Sequence, residues 1–515
     1  MPMKRRQFLA TGTAGLANLS LPAFLHAAPA ATDLTQPAPA NPFLDWFGID
    51  EALIRRVMSE LTARGADFAE IYFQHKRANV IRMQDGIASQ ASSDIMQGVG
   101  LRVVVGDQTG FAFTEDLNPE SMLRAARTAA TIASGQGATV PAHFDPKRQG
   151  DLYSVERPWS EVGLDEKLPL IRKVEAMARA ADPAIDKVTV RLTDTDERVL
   201  IATLGGHLLT DRRPSVLLGL QLTAKRSGQT QSNQGSLGAR SDIGFYTDRR
   251  LKDLVDDAVS RTLVLFDARR PPAGEMPVML AAGASSVLLH EAIGHGMEAD
   301  FNRIGTSIYS DMIGKPVAES FVTVVDQGDL PHELGTLNMD DEGNATGRAV
   351  LVDKGILKSY LHDNLSARHY GLDRDGATHV GSGRRESYRF PILPRMTSTF
   401  MENGPHTRDE IVAAIDRGII AETFTGGQVA IGTGDFTFYV KNGWLVEGGK
   451  ITAPIKDVNL IGNGPEALKR ITMVANDFKL DPGSWVCGKG GQNVPVSIGM
   501  PSALVSRMTV GGENV

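Results

Sequence analysis

Two stretches of this chain repeat one ordering of secondary-structure signals, and that ordering restricts the fold more than any other feature. Residues 50–64 (DEALIRRVMSELTAR) predict a helix that starts at Asp50 and is stopped by Gly65. Short runs rich in Val, Ile, Phe and Tyr follow over residues 66–113: AEIYFQ, ANVIRMQ, GLRVVVG and GFAFT. Gly86, Gly98, Gly106 and Gly110 punctuate them, as in an antiparallel meander. A helix at about 118–134 closes the unit. The order then returns, with a helix at about 164–182, strand runs KVTVRLT, RVLIATL, HLLTDR and SVLLGLQLTA, and a helix at about 248–265. No residue-level repeat relates the two stretches. Helices and antiparallel strands in this arrangement predict an α+β fold with N-terminal units at 44–135 and 161–270. Residues 136–160 read as a linker, in line with the GQGATVPAHFDP stretch at 135–146.

Beyond Pro271-Pro272 the texture changes. After one helix near 283–297 the chain is mostly strands and turns. Residues 426–515 hold 16 of the 53 glycines, a density that predicts many tight turns. The expectation for 271–515 is a β-rich domain built on a closed or sandwiched antiparallel sheet. At 515 residues, 42% apolar and 22% charged, the chain can bury a large core and is neither disordered nor fibrous. Its single cysteine, Cys487, excludes an intramolecular disulfide framework and any four-cysteine metal site.

The N-terminus reads as an address. Lys4, Arg5 and Arg6 precede a mildly apolar stretch, and Ala27, Ala28 and Ala30 offer small-residue cleavage positions. Residues 1–30 are therefore expected to be a signal peptide, with 31–43 as a linker. The stretch is too short and too interrupted to span a membrane. The core Arg5-Arg6-Gln7-Phe8-Leu9 is similar to a twin-arginine signal, which predicts export to the periplasm; an ordinary secretory n-region is the alternative. Cleavage removes three positive charges and no acids, moving the formal charge from −7 to −10. A chain that acidic has no electrostatic case for binding nucleic acid or anionic lipid.

The segment that carries chemistry is SSVLLHEAIGHGME, residues 285–298. Its HExxxH pattern resembles the zinc-hydrolase HExxH, with one extra residue between the histidines. On a regular helix, His290 and His295 would point about 140° apart and could not share a metal. A π-bulge absorbs the extra residue and realigns them, and Gly294 sits where that distortion is easiest. On an undistorted helix, Glu291 and His295 would instead be an i, i+4 polar pair. A catalytic zinc has three protein ligands and one open position. Glu298, Asp300 and Cys487 are the candidates for the third ligand. Cys487 falls in the glycine-rich stretch WVCGKGGQ, read as a turn, where Lys489 and a metal would favour the thiolate. Asp340-Asp341-Glu342-Gly343 reads as an acidic turn before a hairpin at 348–362 rather than a calcium site. Arg384-Arg385-Glu386 reads as a solvated loop with an internal salt bridge rather than a carboxylate grip.

Together these segments resemble the TldD/PmbA family, in particular its TldD-type metallopeptidase subunit. The resemblance is carried by HEAIGHGMEADFNRIG (290–305), NMDDEG (338–343), VLVDKGILKSYLHD (350–363), GSGRRESYR (381–389), FPILPRMTSTF (390–400) and GDFTFYVKNGWLVEGGKI (434–451). LIGNG (460–464) and VCGKGGQNVPVSIGMPSALVSRMTVGG (486–512) extend it, with looser matches at 65–74 and 98–114. The resemblance implies a zinc (Zn2+) metallopeptidase acting on extended or unfolded peptides. In it, His290, His295 and Cys487 would bind the metal and Glu291 would be the catalytic base. It also implies a homodimer, or a heterodimer with a paralogous PmbA-like subunit that lacks the metal motif. The chain departs from the family pattern at Trp485, where a glycine often stands two residues before the cysteine, and in carrying an export signal. Two other readings are a non-catalytic peptide-binding subunit and a metal-dependent hydrolase of a non-peptide amide.

Overall fold

The computed structural model describes residues 41–512 except 149, 373–379 and 484. The expected signal peptide, and the linker as far as residue 40, lie outside the described residues. The fold is α+β.

The first helices start where side chains can cap them. Asn41 accepts from Phe43 N and Leu44 N at the head of α1 (Pro42–Phe47), and Asp50 accepts from Leu53 N at the head of α2 (Glu51–Leu61). Three strands follow, β1 (Phe68–Gln84), β2 (Ile87–Val105) and β3 (Gln108–Thr114), and then α3 (Pro119–Ala129). The second stretch contributes β4 (Asp145–Arg148), α4 (Leu164–Ala181), β5 (Ile185–Thr203), β6 (His207–Arg226), β7 (Gln229–Ala239) and α5 (Asp248–Leu263).

These strands form one seven-stranded sheet in the order β3-β2-β1-β5-β6, with β4 and β7 both paired along the outer side of β6. Antiparallel pairing of β1 with β5, from Glu70↔Thr203 to Gln84↔Thr189, joins the two stretches. The strands are much longer than the sequence runs suggest. AEIYFQ and ANVIRMQ are one strand, as are KVTVRLT and RVLIATL, and HLLTDR and SVLLGLQLTA. The polar residues between the runs mimic turns, but the sheet satisfies them by ion pairing: Asp194 with Lys167 at 2.7 Å and Asp196 with Arg212 at 2.7 Å. Helices cover the sheet in two places. Ile54, Val57 and Met122 of α2 and α3 pack with Phe73 and Leu101, and Ile171, Val174 and Leu254 of α4 and α5 pack with Val190 and Leu220.

The C-terminal part holds two further seven-stranded sheets. In one, the strands Arg417–Ala430, Gly274–Leu280, Ala503–Gly511, Val458–Asn463 and Asp435–Glu447 pair in sequence, and the last pairs back with the first. The sheet is thus closed, with one parallel pairing between Gly274–Leu280 and Arg417–Ala430. In the other, Val324–Gln327, Ser398–Met401 and Gln492–Met500 lie side by side, and Trp485–Lys489 pairs with Gln492–Met500. The expected hairpin near 348–362 is Arg348–Asp353 with Ile356–Leu357. Val287, Leu289 and Ile293 of the helical segment 284–297 share a core with Ile419, Phe436, Phe438 and Leu460 of the closed sheet. No helix among the described residues is long and apolar enough to cross a membrane.

Candidate metal centre

The helical segment 284–297 changes pitch three times. A 3-10 turn (Ala284–Ser286) and one short α stretch (Val287–Leu289) lead into a π-helix over His290–Gly294, and a 3-10 turn (His295–Met297) ends it. The π turn absorbs the extra residue of the HExxxH spacing. It brings the two imidazoles together, with ring centroids 5.2 Å apart and planes at 80°. Gly294 is needed for close approach, since a Cβ there would stand 2.2 Å from Met396 Sδ.

Cys487 lies on the strand Trp485–Lys489, not in a turn; the turn is Gly490-Gly491, both with left-handed φ (58° and 75°). Strand alternation buries Cys487 and Lys489 on one side and exposes Val486 and Gly488 on the other. Trp485 replaces the family's glycine without disturbing this strand, because its pairing with Val496 is intact and its indole donates to Asp481 Oδ1.

The donor atoms of His290, His295 and Cys487 all lie within 4.8 Å of one another, and Cys487 Sγ is 3.3 Å from His295 Nε2. Ligand atoms held about 2.0–2.3 Å from a tetrahedral zinc would be roughly 3.3–3.7 Å apart. All three residues are buried, and among the described residues His290 Nδ1 has no hydrogen-bond partner. Two imidazoles and one thiol form a donor set suited to zinc, so these residues fit that ion. Burial alone would raise the Cys487 thiol pKa. The charge of His290, with hydrogen bonds to both histidines, brings it down to about 4.

The other two third-ligand candidates face elsewhere. Glu298 turns back to His295, with Oε2 2.9 Å from Nδ1, and Asp300 accepts from Lys489 Nζ at 2.8 Å. Glu298 is fully buried, which would raise its pKa. The charge of Lys489 at 3.1 Å, then those of His295 and Arg395, lower it to about 2. In the same way, the charge of Glu298 outweighs burial and holds His295 well above the ordinary histidine range. Glu291 is the one partly exposed member of the group it forms with His290, His295 and Cys487. Its side chain is 27% accessible and its Oε2 lies 3.9 Å from His295 Nε2, the ring nitrogen that also faces Cys487.

The acidic turn is buried, and so are Arg384 and Arg385 of the segment expected to be a solvated loop. Asp341 pairs with Arg213 at 2.6 Å, and Glu342 with Arg102. Arg385 pairs with Glu70 at 2.7 Å and donates its backbone N–H to Asp341, while Arg384 donates to Met396 O and Pro495 O. Their partners come from β1, β2, β6 and the strands behind the site, too remote in sequence to show in a local reading. Sequence reasoning also missed Arg395, which nothing in its own segment marks, and the part played by Lys489.

Three models of the family match: PmbA/TldA metallopeptidase domain 1 at residues 69–133, the central domain at 157–266 and the C-terminal domain at 273–512. The chain is 36% identical to a metalloprotease TldD homolog of Haemophilus influenzae, over 92% of this chain and 99% of that protein. It is also 36% identical to a metalloprotease TldD homolog of Buchnera aphidicola, over 88% and 95%. A zinc metalloprotease TldD homolog of Saccharolobus solfataricus is 26% identical over 87% and 97%. Among solved structures, TldE of Thermococcus kodakarensis shares the fold, with a TM-score of 0.68 at 18% identity over 89% of this chain and 99% of that one. With family models matched across all three of its parts and these relatives aligned along nearly its whole length, the chain belongs to the TldD/PmbA family of metallopeptidases.

Proposed function

We propose that the chain is a zinc-dependent peptidase that hydrolyses extended or unfolded peptides, with zinc held by His290, His295 and Cys487 and Glu291 acting as general base. The observation that carries this is the meeting of three buried donor atoms within 4.8 Å beside one partly exposed carboxylate. Zinc bound there would supply a Lewis acid that polarises the scissile carbonyl and makes water easier to deprotonate. Glu291 would take the proton from the attacking water and deliver it to the leaving amine, so its carboxylate would end the cycle as it began. The thiolate ligand donates more charge than a third imidazole and makes the bound ion a milder Lewis acid.

Among the described residues the strand Trp485–Lys489 is paired on one side only, and Val486 is 63% exposed on it. A peptide could add to that edge as a strand, gaining main-chain hydrogen bonds with little side-chain preference. Export through residues 1–30, and assembly with a second copy or a PmbA-like paralogue, complete the proposal. Cell fractionation and light scattering test these two parts.

Zinc content and cleavage of unstructured peptides by wild type and Glu291→Gln test the chemistry. Wild type should load near-stoichiometric zinc. The variant should keep the zinc and lose about 100- to 10,000-fold in kcat. Full activity in the variant would remove Glu291 as the base, and a wild type that holds no zinc would remove the site.

A further inference from the structure

The ligands reach the site from distant segments, and one buried cluster touches both sides. The chain leaves helical geometry at Glu298 (φ −72°, ψ 127°), where Glu298 bridges to Leu361 and its carbonyl accepts from Asn302 Nδ2. That bend folds the Glu298 side chain back onto His295, with 2.9 Å between Oε2 and Nδ1. A carboxylate at Nδ1 holds a proton on that nitrogen, so Nε2, which points at Cys487 Sγ, is the nitrogen left to give up its proton to a metal.

Glu298 is itself held from the hairpin side. Lys489, two residues beyond Cys487 and on the same face of the strand, places Nζ 3.1 Å from Glu298 Oε2. The ammonium also donates to Asp300 Oδ1 at 2.8 Å and Pro394 O at 3.0 Å, and lies 4.4 Å from the Phe301 ring centroid. Arg395, with no exposure to solvent, places Nε 3.8 Å from Glu298 Oε1. It sends Nη2 to the carbonyl of Cys487 at 2.5 Å and Nη1 to the carbonyl of Gln492 at 3.4 Å. One guanidinium therefore spans the carboxylate behind the His295 ligand and the backbone of the cysteine. Two acids, Glu298 and Asp300, meet two bases, Lys489 and Arg395, here.

We infer that Glu298, Lys489 and Arg395 are positioning residues that keep His295 Nδ1 protonated, turn Nε2 toward the metal position and fix the placement of Cys487. This rests on the proposal that His290, His295 and Cys487 hold zinc. It also accounts for much of the CGKGGQ segment: a candidate ligand at Cys487, a clamp at Lys489, a turn at Gly490-Gly491, and an anchor at Gln492 that holds Glu386 N and Pro391 O.

The test is zinc affinity, measured by competition with a chromophoric chelator on the full chain. Glu298→Gln and Lys489→Met should each weaken zinc binding about 10- to 100-fold, the usual effect of losing a partner behind a metal ligand. Lys489→Arg should recover most of the loss. Affinities of folded variants within threefold of wild type would overturn the inference. Should the variants fail to fold, 15N chemical shifts of His295 in zinc-loaded wild type still decide it. A proton on Nδ1 is the expected result, and a proton on Nε2 would overturn it. Failure of wild type to bind zinc at all would sink the underlying proposal instead, so the two failures are distinguishable.

Discussion

A methyl group at position 294 has no room. Met396, whose sulfur would lie 2.2 Å away, is itself fully buried and would have to repack within the core to make room. Gly294→Ala should therefore cost about 1–3 kcal/mol by overpacking, and the strain should fall on the π turn that aligns His290 with His295. Urea denaturation should show the loss of stability, and chelator competition should show weaker zinc binding than the stability change alone explains. A variant as stable as wild type would mean that the turn tolerates a side chain. At this scale much of the site was legible. The i, i+5 spacing aligns the two histidines only if one turn takes an extra residue, and Gly294 sits where that is easiest. What was not legible was burial. Asp341 and Arg385 look like surface residues in sequence because charge usually means solvent, and only their partners Arg213 and Glu70 show otherwise.

The hairpin of Trp485–Lys489 with Gln492–Met500 delivers Cys487, and its turn depends on two left-handed residues. Gly490→Val would force a β-branched residue to φ +58°, costing about 1–2 kcal/mol, with Leu393 Cδ1 only 3.2 Å from the new Cβ. The hairpin should fray before the rest of the fold opens. Zinc release should then rise at temperatures where far-UV circular dichroism is unchanged; simultaneous loss of both would contradict it. Element lengths were the least legible feature. Charged residues inside β1, β5 and β6 broke their apolar pattern into short runs. Cross-strand pairs such as Asp196 with Arg212 instead keep them in continuous strands.

For the whole molecule, the charged residues that β1, β2 and β6 carry toward the C-terminal part act as fasteners. Glu70 meets both Arg102 and Arg385, and Arg213 meets both Asp211 and Asp341. Arg213→Leu would take from Asp211 and Asp341 the buried cation they share, leaving Asp341 only Arg385, and should cost about 3–5 kcal/mol. Asp341 also contributes to the response to acid. Burial works against the charge on Asp341, but Arg213 and then Arg385 hold its pKa below the ordinary aspartate value, as Lys489 beside the metal centre brings Glu298 down to about 2. Carboxyls with a lowered folded-state pKa stabilise the fold above their unfolded values. That contribution is lost as pH falls from about 4 through the folded-state values. Acid titration followed by tryptophan fluorescence should show wild type holding until below pH about 4, and Arg213→Leu unfolding at a higher pH. Coincident transitions would remove Arg213 from the acid response.

The sequence by itself determined the class of fold, the seats of the helices and most strand cores, and the identity of the candidate donors. Each of these rests on periodicity, capping or backbone freedom, which act over a few residues. The tertiary structure decided which of Glu298, Asp300 and Cys487 approaches the histidine pair, and that the two helix–strand stretches share one sheet. It also decided that the charged segments at 340–342 and 384–385 are interior. These depend on pairings between residues far apart in the chain, 192 positions for Cys487 and His295. No local pattern specifies such a meeting, because side chains that distant are brought together only when sheets close and cores pack around them.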